Sequence, residues 1–191
     1  MILESAKRTL GVRAFSGWVA VCATVLALGC SKANGNTGAP APAAPLPVAA
    51  ALPTTPEGVL AGYESIRRLL AEDQVTAVSS FSKELTAAAK GVVQAKAAAQ
   101  LPVFERIATA SAALATTDAK DPDAVRRQFG EVSQAIVELL TDNETLRGSR
   151  LVFECPMAQG YRKWVQLTPT INNPYMGSKM LECGVASKWA K

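Results

Sequence analysis

The segment DPDAVRRQFGEVSQAIVELL, residues 121–140, decides the fold class of this chain. It opens with Asp121-Pro122, an acid that can cap a helix followed by the imino acid favoured at the first helical position. Its apolar residues then recur mostly at spacings of three and four, which places them on one helical face. These residues are Val125, Phe129, Val132, Ile136, Leu139 and Leu140. The segment therefore predicts an amphipathic helix that ends around 143–148.

Three similar stripes lie upstream of this segment. Thr55-Pro56 opens a helix to about Ala71, and two further stripes predict helices over about 74–96 and 101–116. The stripe residues are Val59, Tyr63, Ile66 and Leu70, then Val75, Val78, Phe81, Leu85, Ala88 and Val92, then Leu101, Phe104, Ile107 and Leu114. Four amphipathic helices with short connections predict an all-α fold, an up-and-down bundle over residues 56–148.

The pattern changes after Gly148. Residues 151–153 form a short β-type run, and residues 161–167 alternate in the manner of an edge strand. Asn172-Asn173-Pro174-Tyr175 is typical of a turn. We therefore expect residues 149–191 to form a small tail of short strands and irregular structure, packed on the bundle as part of one domain.

Residues 1–29 are typical of a lipoprotein signal peptide. A basic stretch precedes an apolar run of 15 residues, 14–28, which is shorter than a membrane-spanning helix. The run ends in ALGC, residues 27–30, which resembles the lipobox of bacterial lipoproteins. We expect Cys30 to be acylated and to anchor the protein in a membrane. Ser31, rather than aspartate, favours the outer membrane, with the protein facing the periplasm.

The segment after the predicted anchor, residues 30–55, is dominated by alanine and proline and predicts an extended tether. The signal peptide carries a net charge of +2 of the chain's +4, so the remainder carries only about +2. No arginine-rich stripe interleaved with aromatic residues is present. The sequence therefore does not indicate a nucleic-acid partner.

The composition argues against an enzyme. The chain contains no histidine, which removes the nucleophile systems that depend on imidazole and the histidine-based zinc sites. No glycine-rich phosphate loop of standard spacing is present. The acids at the predicted helix ends, Glu72, Asp73, Asp121 and Asp123, fit a capping role better than a catalytic pair.

Sulfur is concentrated in the tail, where Cys155 and Met157 precede Met180 and Cys183. One interpretation is a Cys155–Cys183 disulfide, since the envelope is oxidising and Cys30 is used by the lipid. In the chain-entropy model such a loop contributes about 3–4 kcal/mol. A second interpretation is a thiolate and thioether site for Cu(I) or Ag(I), because soft ligands select soft ions. In a third, the methionines and aromatic residues are ordinary core and the tail is a docking surface.

Several motifs in the chain resemble one bacterial family, the domain of unknown function numbered 3347. They are RRQFGEVSQA at 126–135, CPMA at 155–158, Trp164, and NPYMGSKM at 173–180 with Cys183-Gly184. The resemblance covers essentially all of residues 57–186. Members of this family occur as lone periplasmic proteins and lipoproteins, and fused to periplasmic adaptor subunits of copper and silver efflux systems.

The resemblance implies a helical bundle with a cysteine-bearing C-terminal motif, and a link to copper or heavy-metal handling without an established activity. Matched by position, the candidate metal ligands are Cys155, Met157, Met180 and Cys183. Met176 stands where the family usually has a bulky aromatic residue, and no histidine precedes the cysteine-proline-methionine triplet. We expect a non-enzymatic envelope lipoprotein that binds copper or assists heavy-metal efflux components. The alternative is a structural or interaction lipoprotein with a disulfide and no metal.

Overall fold

The computed structural model describes residues 49–189. The predicted signal peptide, the lipid anchor at Cys30 and most of the tether lie outside these residues. The described part is mostly helical, so the helical prediction is confirmed at that level. The all-α prediction is wrong, because the tail folds as a three-stranded antiparallel sheet. Among the described residues, no helix combines the length and apolar character needed to cross a bilayer.

Four long helices make up about half of the described chain: α1 (Pro56–Ala71), α2 (Val78–Gln94), α3 (Leu101–Thr116) and α4 (Pro122–Thr141). A 3-10 turn, Val75–Ala77, precedes α2, and a one-turn helix, α5 (Glu144–Arg147), follows α4. α1 and α3 begin and end at the predicted residues. The predicted second helix instead starts as the 3-10 turn, and the fourth stops at Thr141.

Side-chain caps account for three of the helix starts. The Thr55 hydroxyl accepts a hydrogen bond from the Gly58 amide at 3.2 Å, and the Asp121 carboxylate accepts one from the Ala124 amide at 2.9 Å. Both caps precede a proline at the first helical position, as the sequence indicated. The Asn143 amide oxygen caps α5 in the same way. This cap explains why the chain restarts as a separate turn after Thr141.

Hydrogen bonds made by side chains of α2 show the relative direction of α2 and α3. The Ser79 hydroxyl donates to the Ala115 carbonyl at 2.6 Å, and the hydroxyls of Thr86 and Ser111 lie 2.9 Å apart. The start of α2 therefore meets the end of α3, so these two helices are antiparallel. α4 packs against α3 on one side and against the tail on the other. It is the central helix of the described domain.

The tail forms strands β1 (Leu151–Glu154), β2 (Lys163–Gln166) and β3 (Val185–Ala186), in the spatial order β2-β1-β3. Phe153 in β1 is paired with Trp164 on one side and with Ala186 on the other. The predicted edge strand is β2, whose inner face is buried against α4. β3 was not predicted, since two residues are too few to show an alternating pattern.

A chain of aromatic rings joins the helices to the tail. Tyr63 stacks on Phe129 at 5.4 Å between centroids, and Phe129 lies 5.8 Å from Tyr175. Tyr175 in turn meets Trp164 edge-on at 6.1 Å, and Trp164 stacks on Phe153 at 5.6 Å. Such pairs add about 0.5–1.5 kcal/mol each beyond the area they bury. The tail and the helices therefore share one hydrophobic core.

Residues 52–54, which we call the strap, lie against glycines of α1 and α2. A Cβ built on Gly58 would stand 2.0 Å from the carbonyl oxygen of Pro53. A Cβ on Gly91 would stand 2.3 Å from the methyl group of Thr54. Because glycine has no side chain, Gly58 and Gly91 leave the space in which the strap lies. The described unit thus begins before the first helix and includes the end of the predicted tether.

The strap gives a pair of contrasting predictions. We expect Gly58→Ala to lower the free energy of unfolding by about 1–3 kcal/mol, because the new methyl group meets rigid backbone. We expect Gly91→Ala to cost less, about 1 kcal/mol, because the new methyl group meets the side chain of Thr54, an exposed residue that can shift as a whole, and because alanine favours the helix. Urea unfolding measures both. Equal losses in the two variants would contradict the prediction that the contact between Gly58 and the strap backbone is the tighter of the two.

Candidate functional site

The sheet brings the two tail cysteines together. Cys155 directly follows β1, and Cys183 stands two residues before β3, which pairs with β1. Their Sγ atoms lie 4.0 Å apart, and both are free thiols. Cys155 is fully buried, whereas Cys183 is partly exposed. Two residues that are 28 positions apart in sequence thus form one half-buried dithiol.

Backbone contacts hold each cysteine in place. The Cys155 amide donates to the Arg162 carbonyl at 3.0 Å, and the Cys183 amide donates to the Met180 carbonyl at 3.0 Å. Gly184 has a φ of +155°, and a Cβ there would lie 2.7 Å from the Trp164 ring. The chain that leaves Cys183 therefore passes directly over the indole. A glycine at position 184 fits this conformation and this space.

A buried amide, Asn173, ties the Cys183 loop to the core. Its side-chain oxygen accepts from the Tyr175 amide at 2.8 Å, and its side-chain nitrogen donates to the Cys183 carbonyl. Its backbone amide donates to the Leu181 carbonyl at 2.8 Å. The sequence indicated only a turn at this position. An asparagine before proline is a common turn signal, and nothing local to it shows a partner ten residues away.

The spacing of the two sulfurs decides what the dithiol can do without rearrangement. A disulfide needs an S–S distance of about 2.05 Å, so the thiols would have to approach by about 2 Å. Metal–thiolate bonds of about 2.3 Å, as in zinc sites, allow one ion to contact both sulfurs at their present separation of 4.0 Å. Partial burial, and then the neighbouring Cys155, raise the pKa of the Cys183 thiol. An ion that binds there must therefore displace a proton.

The two methionines predicted as metal ligands have side chains at the surface, and the cavities that they line do not include the two cysteines. The side chains of Met157 and Met180 are 58% and 40% exposed. Met157 and Met176 line a cavity of about 110 Å³, and Met176 and Met180 line another of about 520 Å³. Among the described residues that line these two cavities, neither cysteine occurs. The structure thus divides the predicted four-sulfur set into an inner dithiol and an outer group of thioethers.

An ion pair beside the larger cavity locks the tail onto the helices. Arg126 is 7% exposed and donates from Nε to the Pro174 carbonyl at 3.2 Å. Its Nη2 donates to the Leu70 carbonyl at 3.1 Å and forms an ion pair with Asp73. The Asp73 carboxylate also accepts from the backbone amide of Ser178 at 2.9 Å and from the Ser178 hydroxyl. We call Asp73, Arg126 and Ser178 the tail lock.

The sequence missed the tail lock because its members are far apart along the chain. Asp73 was expected at a helix end, and its left-handed backbone, with φ of 57°, does close α1, since the Gln74 amide donates to the Leu69 carbonyl at 2.8 Å. What the sequence did not show is that its carboxylate reaches Arg126 and Ser178. Partial burial raises its pKa, but the hydrogen bonds from Ser178 and the charge of Arg126 outweigh that effect. The net result is a lowered pKa for the Asp73 carboxyl group. The carboxylate is therefore ionised throughout the physiological range.

Comparison of the chain with protein-family models, with curated proteins and with solved structures found no match. The resemblance to family 3347 remains a prediction from the motif residues. Within residues 49–189, no group of three or more histidine, cysteine, aspartate or glutamate side chains is arranged to hold a metal ion.

Proposed function

We propose that this protein is a non-enzymatic envelope lipoprotein whose tail binds one soft monovalent ion, Cu(I) or Ag(I), between Cys155 and Cys183. The observation that supports this proposal best is the 4.0 Å separation of the two sulfurs, which admits a bridging ion without backbone movement. Burial of Cys155 keeps water from one side of the ion. The partly exposed Cys183 gives the ion an entry route.

The ligand chemistry supports a soft ion over other metals. Thiolates prefer Cu(I), whereas Mg²⁺, Ca²⁺ and Mn²⁺ require oxygen ligands. A structural zinc site takes four nitrogen or sulfur ligands, and the described residues provide two thiols at this position and no histidine. A two-thiolate site suits an ion that accepts a low coordination number.

We propose that the helices form an up-and-down bundle that serves as a rigid support for the dithiol. The predicted lipid anchor at Cys30 would hold this unit at the outer membrane, facing the periplasm. From there it would act as an accessory to heavy-metal efflux components, as the resemblance to family 3347 implies.

A second candidate function follows from the same pair of sulfurs. Two free thiols in van der Waals contact in an oxidising compartment can form a disulfide after a small movement. The disulfide would close a loop of 28 residues and cross-link the tail. In the chain-entropy model it would raise the free energy of unfolding by about 3–4 kcal/mol. In that case the protein is a structural or interaction lipoprotein without a metal.

A count of free thiols distinguishes the metal site from the disulfide. The full chain is produced in an oxidising periplasm, alkylated without reductant, and weighed by mass spectrometry. The count is repeated after reduction, with and without one equivalent of Cu(I) in the absence of oxygen. We expect two thiols that alkylate readily when the protein is reduced and that Cu(I) protects. Cys155→Ser and Cys183→Ser are the matched controls, and each should lose the protection.

The outcomes of this experiment are distinct. Thiols that Cu(I) protects in the wild type but not in either single variant support the metal site. If the two thiols cannot be alkylated in the protein as purified, react after reduction and still react in the presence of Cu(I), the disulfide is supported and the metal site is excluded. Because the raised pKa of Cys183 slows its alkylation at neutral pH, the reaction is run at mildly alkaline pH.

A further inference from the structure

We propose that residues 45–48, the part of the predicted tether directly before the described chain, dock in a groove between α1 and α2 and continue the path of the strap. The occupant of the groove is thus a segment of this same chain. Its two bulky apolar side chains are Leu46 and Val48, and Val48 covers the ring of Phe81. The interaction is independent of the proposed function, since it uses neither the cysteines nor a metal.

The strap shows the direction in which the chain approaches this groove. Pro53 lies against Gly58, near the start of α1, and Leu52 lies against Gly62, about one helical turn further along. A Cβ built on Gly62 would stand 2.5 Å from Cδ1 of Leu52. The strap therefore runs antiparallel to α1, and the residues before it lead towards the C-terminal end of that helix. Ala49, the first residue of the described chain, is still partly buried.

A cavity of about 390 Å³ lies further along the same path. Ser65 and Leu69 line it from α1, and Phe81 lines it from α2. Ser65 follows Gly62 by three residues and Leu69 follows Ser65 by four, so both lie on the side of α1 that the strap contacts. The cavity therefore continues the groove in which the strap lies.

The groove has an apolar floor that is only partly covered. Leu69 is buried, whereas Phe81 packs against the core and stays partly exposed. The rim is polar and consists of Glu64, Arg68, Glu72 and Gln74. The side-chain oxygen of Gln74 is buried and, within the described part of the chain, accepts no hydrogen bond. An apolar side chain with a free backbone N–H beside it would cover the ring and satisfy this acceptor.

The composition of residues 45–48 fits such a groove. The segment has the sequence PLPV and carries no charge, so nothing in it opposes burial on an apolar floor. Its two prolines favour an extended backbone, which lowers the entropy lost on docking. Leu46 and Val48 retain the backbone N–H that proline lacks, and one of them can donate to Gln74.

The length of the chain fits as well. Leu69 lies seven residues beyond Gly62 on α1, a distance of about 10 Å at the helical rise. Val48 precedes Leu52 by four residues, which span up to about 13 Å when extended. Val48 can therefore reach the floor of the groove without any change in the strap.

Covalent connection favours this segment over a separate protein. The strap already holds residues 45–48 next to the groove, so docking costs no further loss of translational freedom. A linked segment of this length has an effective concentration on the order of millimolar. Another protein would have to displace it, and a second copy of this chain would have to compete with the copy's own segment.

Limited proteolysis of the full chain with elastase, which cleaves after small side chains, tests the docking. We expect cleavage after residues 48–50 to be about tenfold faster in Phe81→Ala than in the wild type, the order expected when one apolar contact is lost. Val93→Ala is the matched control, since Val93 is also a partly buried residue of α2 but lies outside the groove lining. It should leave the rate of cleavage unchanged, and mass spectrometry identifies the cleaved bonds.

A second pair of variants leaves the helices unaltered. Val48→Asp places a charge in the docking segment, and we expect it to shift the NMR signals of the Phe81 ring. Ala41→Asp introduces the same charge outside the segment and should not shift them. The Phe81 signals are assigned by their loss in Phe81→Ala.

The outcomes distinguish docking within one chain from other occupants of the groove. Faster cleavage in Phe81→Ala, together with shifted Phe81 signals in Val48→Asp, supports the docked segment. Equal cleavage rates in Phe81→Ala and the wild type, or Phe81 signals that do not respond to Val48→Asp, would overturn it and leave the groove to another protein. Protection that is lost when the wild type is diluted would also overturn it, since a second copy would then supply the segment.

Discussion

Replacing Arg126 by methionine is expected to lower the free energy of unfolding by about 1.5–3 kcal/mol, because the carbonyls of Pro174 and Leu70 lose a buried charged donor. The partly exposed Asp73 also loses its ion-pair partner. The guanidinium is 7% exposed and donates to the carbonyls of Pro174 and Leu70. Methionine fills similar volume, so the loss measures the polar contacts rather than a cavity. The tail should detach first, since Arg126 joins α4 to Leu70 at the end of α1 and to Pro174 in the tail.

The neighbouring arginine provides the matched control. Arg127 is exposed and lies next to Arg126 on α4. We expect Arg127→Met to change the free energy of unfolding by less than about 0.5 kcal/mol, as is usual for surface substitutions. Urea unfolding followed by the fluorescence of the buried Trp164 measures both variants. Losses of similar size in the two would mean that the tail lock does not hold the tail.

The tail lock also predicts a response to acid. The pKa of the Asp73 carboxyl group is lower in the folded protein than in the unfolded chain, because Ser178 and Arg126 stabilise its ionised form. Its contribution to stability is therefore present above the unfolded pKa, near 4, and is lost as the pH falls through the folded value. Arg126→Met removes part of that difference. Its stability should consequently fall less steeply below about pH 4 than that of the wild type.

The helices could be predicted because their signals are local. Thr55 and Asp121 each precede a proline and a run with helical periodicity, and the structure places caps at both. Strand β1 was visible as a short β-type run and β2 as an alternating run for the same reason. β3 is two residues long, and its pairing with β1 depends on the turns before it. A sequence pattern of that length cannot be distinguished from a loop.

The site was only partly predictable because it depends on contacts between distant segments. The sequence marked Cys155 and Cys183 as a pair, since few other partners were open to them, and the structure places their sulfurs 4.0 Å apart. It could not show that the side chains of Met157 and Met180 lie at the surface, apart from the two cysteines. It also could not connect Asp73 with Arg126, which are 53 residues apart. Tertiary packing, which periodicity does not encode, decides both arrangements.

Replacing Gly177 by alanine is also expected to lower the free energy of unfolding strongly. Gly177 has a φ of +60°, and a Cβ there would lie 1.9 Å from Asp73 Oδ1 and 2.6 Å from the Arg126 guanidinium. The backbone strain contributes about 1–2 kcal/mol, and forcing a methyl group into filled space adds about 1–3 kcal/mol. Gly160→Ala is the matched control, because Gly160 has a φ of +72° and no atom within 4 Å of its Cβ position. It should show the backbone strain alone.

A double variant tests whether the crowding at Gly177 comes from the tail lock. When Arg126 is replaced by methionine, Asp73 keeps its hydrogen bonds to Ser178 but loses the guanidinium of Arg126. Its carboxylate then has more freedom to move away from the new methyl group. We therefore expect the Gly177→Ala penalty to fall by about 1–2 kcal/mol in the Arg126→Met background, the coupling typical of residues in direct contact. The Gly160→Ala penalty should be the same in both backgrounds, since that site is open. Strictly additive losses for Gly177→Ala and Arg126→Met would show that the glycine serves only the backbone turn. A coupling confined to Gly177 would show that glycine is needed there to admit the ion pair that fastens the tail to the helices.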